Sequence, residues 1–267
     1  MLEFTGKTAL VTGASAGIGR EIARLLAPEV ETLVLVARRQ DRLEELAAEL
    51  TRGKADLRVL VRAVDLVDRT ATGAMLDALE REGVRVDVFI NNAGFGDYAL
   101  FDRSDWAKTE QMLELNVVSA TFLLRRLIPP MVERGFGAVL NVGSVAGMVV
   151  NPGMATYGAT KAYFNHLSEA IRAELSGTGV VVTALCPGPV ATEFQEVAGS
   201  GGTNPLPQLF HVDAVACAEQ GLAGLKRGHA RVIPGPVRAL MLPLEAIPKL
   251  LMRPMFSRMG RKVRGSR

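Results

Sequence analysis

The chain has 267 residues, 48% of them hydrophobic and 22% charged, enough for one large domain with a substantial core. Its +3 charge belongs to the tail: residues 249–267 hold seven basic side chains and no acid, and the remainder carries 24 basic against 28 acidic, which excludes a uniformly basic nucleic-acid-binding surface. Two cysteines, no basic-then-apolar start and no run near 18 uninterrupted apolar residues predict a reducing compartment, no signal peptide and no transmembrane helix; a cytoplasmic protein is expected.

Lys7 to Thr12 is a short apolar run that reads as a buried strand. It leads directly into Gly13-Ala14-Ser15-Ala16-Gly17-Ile18-Gly19 and a helical stretch from Arg20 to Ala27. Strand, glycine-rich turn and helix make a dinucleotide phosphate site, or else a plain tight turn. The glycines allow close backbone approach, and a helix N-terminus carries partial positive charge. The spacing is Gly-x-x-x-Gly-x-Gly rather than the commoner Gly-x-Gly-x-x-Gly.

Thr32 to Ala37 reads as the second strand. Where an NAD site usually places an acid, this chain has Arg38 and Arg39. Guanidinium groups suit a 2′-phosphate in charge and geometry, so NADP(H) is the expected cofactor. The alternative is that both arginines start the solvated helix from Asp41 to Leu50. Leu57 to Ala63 reads as the third strand, followed by Asp65 and Leu66; Asp65 either meets an adenine amino group or caps the helix beginning near Asp68.

Val86 to Ile90 is the fourth strand. Asn91, Asn92, Ala93 and Gly94 follow, as cleft-lining amides or as a loop turn. Helices are expected from Ser104 to Leu115 and from Val117 to Arg134, with Asn116 between them. A buried mid-helix Asn needs partners, and a water or a kink would supply the reason for it. Ala138 to Val142 is strand five, leading to Gly143 and Ser144. The next helix runs to about Leu175 and carries Tyr157 and Lys161, four apart and on one face. An ammonium near a phenol favours phenolate and lowers the Tyr pKa from about 10, giving a proton donor or acceptor near neutral pH. Val180 to Leu185 is strand six, ending in Cys186, Pro187, Gly188, Pro189, Val190, Ala191 and Thr192.

Six such βα units imply a parallel sheet with helices on both faces. Ligands in these sheets bind beyond the carboxyl ends of the strands. Gly13, Arg38, Asp65, Asn92, Ser144 and Pro187 all fall just past strand ends, so they converge on one edge. Glu193 to Asn204 turns Gly/Ser-rich and reads as a mobile lid. A helix from Val212 to Lys226 and a short edge strand, Arg231 to Ile233, complete a domain over 1–235. In the remainder, 236–267, apolar groups alternate with prolines before the basic end. This tail either packs over the substrate cleft or a neighbouring subunit, or makes peripheral contact with an anionic membrane. His166, His211 and His229 show no metal spacing, and no metal site is expected.

Taken together, Thr12-Gly13-x-x-x-Gly17-x-Gly19, Asn91-Asn92-Ala93-Gly94, Asn116, Ser144, Tyr157-x-x-x-Lys161 and Pro187-Gly188 with Thr192 resemble the short-chain dehydrogenase/reductase family over about residues 5–235. The resemblance implies a single doubly wound Rossmann domain with about seven strands, and a homodimer or homotetramer. It implies that Tyr157 exchanges a proton with a carbonyl or alcohol oxygen and that Ser144 hydrogen-bonds that oxygen. Lys161 would bind the nicotinamide ribose and depress the pKa of Tyr157, and Asn116 would hold a water in a relay to Lys161. Gly13, Ser15, Ala16, Gly17, Ile18, Gly19, Arg38, Arg39, Asp65, Leu66, Asn92, Ala93, Gly94, Pro187, Gly188, Val190 and Thr192 would meet the cofactor. NADP-preferring members carry a basic residue where Arg38 stands, and some carry another where Ala16 stands, so one of two usual phosphate contacts is missing here.

Phe95 to Tyr98, Met148 to Met154 and Phe194 onward would line the substrate pocket, and their apolar character predicts a hydrophobic carbonyl or alcohol substrate. A carbonyl reductase or alcohol dehydrogenase is the expected activity. A 3-oxoacyl-thioester reductase is a narrower version, and a catalytically idle NADP-binding protein a competing one. Epimerases and dehydratases of this fold usually need a separate substrate domain, for which there is little room.

Overall fold

The computed structural model describes residues 1–54, 56–199 and 208–246, with 255, 257, 258, 260–262 and 264 in the tail. The Gly/Ser stretch 200–204, and Ile247 to Pro254 and Phe256 in the tail, lie outside the described residues.

Among the described residues seven strands form one sheet: β1 (Thr8–Thr12), β2 (Thr32–Ala37), β3 (Arg58–Ala63), β4 (Val88–Asn91), β5 (Gly137–Val142), β6 (Val180–Leu185) and β7 (Arg231–Val232). Every pairing is parallel, in the order β3-β2-β1-β4-β5-β6-β7. The central strands β2 and β5 are buried at all six positions, because helices cover both faces. The order reverses between β1 and β4, so the cleft of a doubly wound sheet opens there.

Around the sheet stand α1 (Gly17–Leu26), α2 (Gln40–Gly53), α3 (Arg69–Arg81), α4 (Trp106–Leu113), α5 (Ala120–Glu133), α6 (Ala155–Glu174), the short α7 (Phe194–Val197), α8 (Ala214–Lys226) and α9 (Val237–Ala246). On one face Ile22, Leu26, Leu43, Leu46 and Leu222 pack against Val11, Leu33 and Leu35. On the other Met75, Leu79, Leu123, Leu127 and Phe164 pack against Leu10, Val34 and Phe89. The 3- and 4-residue spacings place each helix's apolar stripe toward the strands.

Several expectations change. The two helices flanking Asn116 are one continuous helix from 106 to 133, joined by a π-helical segment, Glu114–Ser119. A π turn widens the helix locally and turns its side chains through an extra step, which lets a polar residue point at a site. This long helix is apolar enough, by length and composition, to cross a membrane. Its apolar side, including Leu123, Leu124, Ile128 and Met131, is nevertheless buried in the core. Asp68, not Asp65, caps α3, its carboxylate accepting from the Ala71 N–H at 2.9 Å. The start of the expected lid is a helical turn, α7, and Ala198 beyond it is buried. The tail's prolines do not prevent α9, which runs through Pro243 and inserts Val237 and Met241 against Val145, Ala184 and Cys186.

The loop after β5 lies directly on α6. A Cβ on Gly147 would fall 2.4 Å from the Lys161 carbonyl carbon and 2.5 Å from the Ala162 nitrogen, both rigid backbone. Gly73, on α3, faces open space. Gly147→Ala is expected to lower the melting temperature by roughly 5–10 °C through overpacking. Gly73→Ala is expected to raise it slightly, by the helix propensity gained. Calorimetry in which both move in the same direction would contradict this account.

Candidate functional site

β1 hands the chain to the turn Gly13–Ala16 and to the N-terminus of α1. Gly13 (φ 67°) and Gly17 (φ 54°) occupy the left-handed region that favours glycine. A side chain at Gly19 would collide with Asn92 Nδ2 at 2.4 Å and the Gly13 carbonyl oxygen at 2.5 Å. Ala16 supplies no side-chain cap, so the first amides of α1 face outward without an internal acceptor.

Asn92 braces this turn. Its side-chain amide donates to the Thr12 carbonyl at 2.9 Å and to that of Gly13 at 3.3 Å. The Thr12 hydroxyl accepts from the backbone N–H groups of Asn92 and Ala93 at 2.9 and 3.1 Å and donates to the Ile90 carbonyl. Asn91 turns the other way and donates to the Ala120 carbonyl, tying β4 to α5. Asp65 is exposed, and its carboxylate closes its own turn on the Val67 N–H; Leu66 beside it is buried.

At the end of β2 the two arginines diverge. Arg38 is exposed and makes no ion pair among the described residues. Arg39 donates to the Ser15 hydroxyl at 3.1 and 3.3 Å and to Glu193 at 2.8 Å. Arg42, on α2, donates to the other oxygen of Glu193. The Arg42 and Arg39 hydrogen bonds hold the Glu193 carboxyl below the usual carboxylate range.

Ser144 leaves β5 with its hydroxyl accepting from the Ala146 N–H at 3.0 Å and facing the Pro187 carbonyl at 3.4 Å. Tyr157, from the first turn of α6, is buried and lines the cleft beside Ser144. Lys161, one turn on, is also buried and donates to the Val142 carbonyl at 2.8 Å. Asn116 grips the backbone of Phe95, donating to its carbonyl at 2.8 Å and accepting from its N–H at 3.1 Å, and donates to Thr160 at 3.2 Å. Gly94 sits between Asn116 and Lys161; a Cβ there would lie 2.8 Å from Asn116 Oδ1 and 3.5 Å from Lys161 Nζ. Ser144, Tyr157 and Lys161 thus line one cleft, and Asn116 stands behind its wall against Gly94, Phe95 and Thr160.

The electrostatics differ from the expected ones. The Lys161 ammonium stands 5.9 Å from the Tyr157 ring centre and does not lower the phenol's pKa. Burial dominates and pushes Tyr157 up, against the opposing hydrogen bond from Ser144, so the phenol keeps its proton. Burial pushes Lys161 down to about 8.

One continuous cleft of about 720 Å³ runs from Gly13, Ser15 and Arg39 past Asn92, Ser144, Tyr157 and Lys161 to Thr192. Thr192 lies against Gly17, with 3.2 Å between its Cγ2 and a Cβ placed there. Beyond the phenol the walls become apolar: Phe95, Met154 and Phe194, whose ring is 5.4 Å from that of Tyr157. Among the described residues no group of three or more His, Cys, Asp or Glu gathers to hold a metal.

The short chain dehydrogenase family model matches residues 7–201. The chain belongs to the short-chain dehydrogenase family. As a short-chain dehydrogenase it is an oxidoreductase. It is 37% identical over 206 residues to an NADP-dependent 3-hydroxy acid dehydrogenase of Escherichia coli, covering 75% of this chain and 80% of that one. A short-chain dehydrogenase from Sphingobium yanoikuyae, solved in complex with NADPH, superposes with a TM-score of 0.80 at 34% identity, covering 92% of this chain and 95% of the other. A bulky-bulky ketone specific alcohol dehydrogenase from Comamonas testosteroni superposes with a TM-score of 0.77 at 30% identity, covering 92% and 94%.

Of the surfaces the sequence left open for the tail of this short-chain dehydrogenase, its described part covers the cleft. Leu240, Met241 and Leu244 of α9, and Met255, also line it. The tail is held nearby, with Arg264 bridging both carboxylate oxygens of Asp102 at 3.0 and 3.1 Å. The apolar residues of α9 were visible as a pattern, and the sequence left open whether they would cover the cleft, a neighbouring subunit or a membrane. The bond from Glu193 to two arginines about 150 positions away has no sequence signature.

The depressed Lys161 predicts a stability signature. A lysine whose folded pKa lies below its unfolded value of about 10.5 burdens the fold while it is charged. That burden is complete below about pH 8 and lifts as pH rises toward 10.5. Lys161→Met is therefore expected to be more stable than the parent at pH 7, with the gap closing across this window. Urea unfolding of both proteins from pH 7 to 10.5 checks it; a gap that widens with pH refutes it.

Proposed function

We propose that this oxidoreductase transfers hydride between NADP(H) and the carbonyl or alcohol carbon of an apolar substrate, with Tyr157 as general acid and base. Tyr157, Ser144 and Lys161, buried together along the cleft that starts at the glycine turn, carry the reading. The residues present fit a dinucleotide. Gly13 and Gly19 leave no room for side chains, Gly17 holds a left-handed φ of 54°, and the uncapped α1 N-terminus suits a pyrophosphate. Ser15, Ala16, Ile18, Asn92, Ala93, Gly94, Pro187, Gly188, Val190 and Thr192 would line its path, with Arg38 and Arg39 toward the 2′-phosphate. The NADP-dependent and NADPH-bound relatives support that cofactor.

NADPH supplies the hydride when bound. Tyr157 holds its proton in the folded protein and donates it to the substrate oxygen as charge develops there. Ser144 hydrogen-bonds the same oxygen. Lys161 remains largely protonated at neutral pH, and its charge offsets the phenolate left on Tyr157. Asn116 positions the Phe95 segment through two hydrogen bonds, is tied to Thr160 by a third and, in this reading, orders a water on the way to Lys161. Phe95, Met154 and Phe194 exclude water and favour an apolar substrate. Residues 1–235 act as the cofactor-binding and catalytic domain, with α9 and the tail closing the substrate end. A homodimer or homotetramer in the cytoplasm completes the proposal.

Tyr157→Phe is expected to lower kcat by at least a hundredfold for ketone reduction while NADPH binding, followed by fluorescence, is retained. Turnover surviving in that variant rules out the acid role. Arg39→Ala is expected to weaken NADPH about tenfold and NADH far less, since its bonds to Ser15 and Glu193 are lost for both cofactors but the phosphate contact for NADPH alone. Equal losses for both cofactors in titration calorimetry count against the 2′-phosphate assignment.

A further inference from the structure

Glu193 bridges two guanidinium groups beside the phosphate turn, those of Arg39 and Arg42. One carboxylate oxygen takes Arg39 at 2.8 Å and the other takes Arg42. Arg39 meanwhile reaches Ser15 inside the turn, so the carboxylate sits at the entrance to the site where a 2′-phosphate is expected. All three side chains are 37–42% exposed, which makes the bridges weak and exchangeable. A phosphomonoester carries nearly two charges on three oxygens and outcompetes a carboxylate for such a fork.

Glu193 also opens the segment that lies over the phenol. Phe194 places its ring beside Tyr157, and the Ala198 carbonyl accepts from the Tyr98 N–H at 2.8 Å. Whatever releases Glu193 loosens the attachment of this segment to α2.

We propose that Glu193 is a displaceable resident anion: a nucleotide 2′-phosphate takes its place on Arg39 and Arg42, so that this one carboxylate both tempers the discrimination for phosphorylated cofactor and couples the cofactor's 2′ substituent to segment 193–199. This rests on the NADP(H) reading above. A nucleotide without the phosphate leaves the bridge intact and the segment pinned.

The test uses the full-length protein and two simple probes, 2′,5′-ADP and 5′-AMP, in titration calorimetry. Glu193→Gln keeps the side chain's size and removes its charge. It is expected to bind 2′,5′-ADP three- to tenfold more tightly than the parent, the factor two half-exposed ion pairs supply, with 5′-AMP unchanged. Hydrogen exchange in 194–199 is expected to rise when the parent binds 2′,5′-ADP, and to be already raised in unliganded Glu193→Gln. Unchanged or weaker 2′,5′-ADP binding by Glu193→Gln, in a parent that prefers 2′,5′-ADP to 5′-AMP, overturns the displacement and leaves the cofactor reading standing. A parent that binds both probes equally takes down both.

Discussion

Everything at the cleft depends on the backbone's close approach at the switch point between β1 and β4. Parallel strands end there with carbonyls and amides that have no further strand to pair with. Asn92 spans the gap, and the Thr12 hydroxyl collects two amides from the far side. Together they hold the glycine turn at a separation that only hydrogen atoms can occupy, as the 2.4 Å approach at Gly19 requires. The α1 N-terminus is aimed outward by these bonds, and the strand ends carrying Asn91 and Ser144 are set relative to it.

The second constraint is burial. Tyr157 and Lys161 share one face of α6 and both lie under protein rather than in water. Burial opposes charge on each, which keeps the phenol protonated and makes the ammonium costly. The Val142 carbonyl offsets part of that cost and locks the lysine's direction. A proton donor that stays loaded at neutral pH suits reduction of a carbonyl. The same burial makes the reverse direction depend on whatever charge compensation ligand binding brings.

The walls of the site are attached differently from its floor. The floor belongs to the sheet and is held by backbone bonds. The walls come from the 193–199 segment and α9, held by half-exposed ion pairs and apolar contacts such as Val237 and Met241. Weak, exchangeable attachments are what a site needs where ligands enter and leave.

Much of the plan was legible without coordinates. Apolar runs of five or six residues, each followed by a helical period, specify a parallel sheet because both faces must be buried. Glycines at 13, 17 and 19 and the Tyr157/Lys161 spacing report local geometry, and local geometry is written in adjacent residues. The π segment that joins α4 to α5 was legible only as an awkward Asn116, since its widened turn is imposed by the partners Phe95 and Thr160. The sign of the Tyr157 shift was misread from spacing, because spacing registers a neighbouring charge but not the depth of burial that sets the shift. The bridge from Glu193 to Arg39 and Arg42, and the placing of α9 over the cleft, were decided by tertiary structure alone. Each joins surfaces far apart in the chain, and no local pattern of charge or hydrophobicity names the partner it will meet.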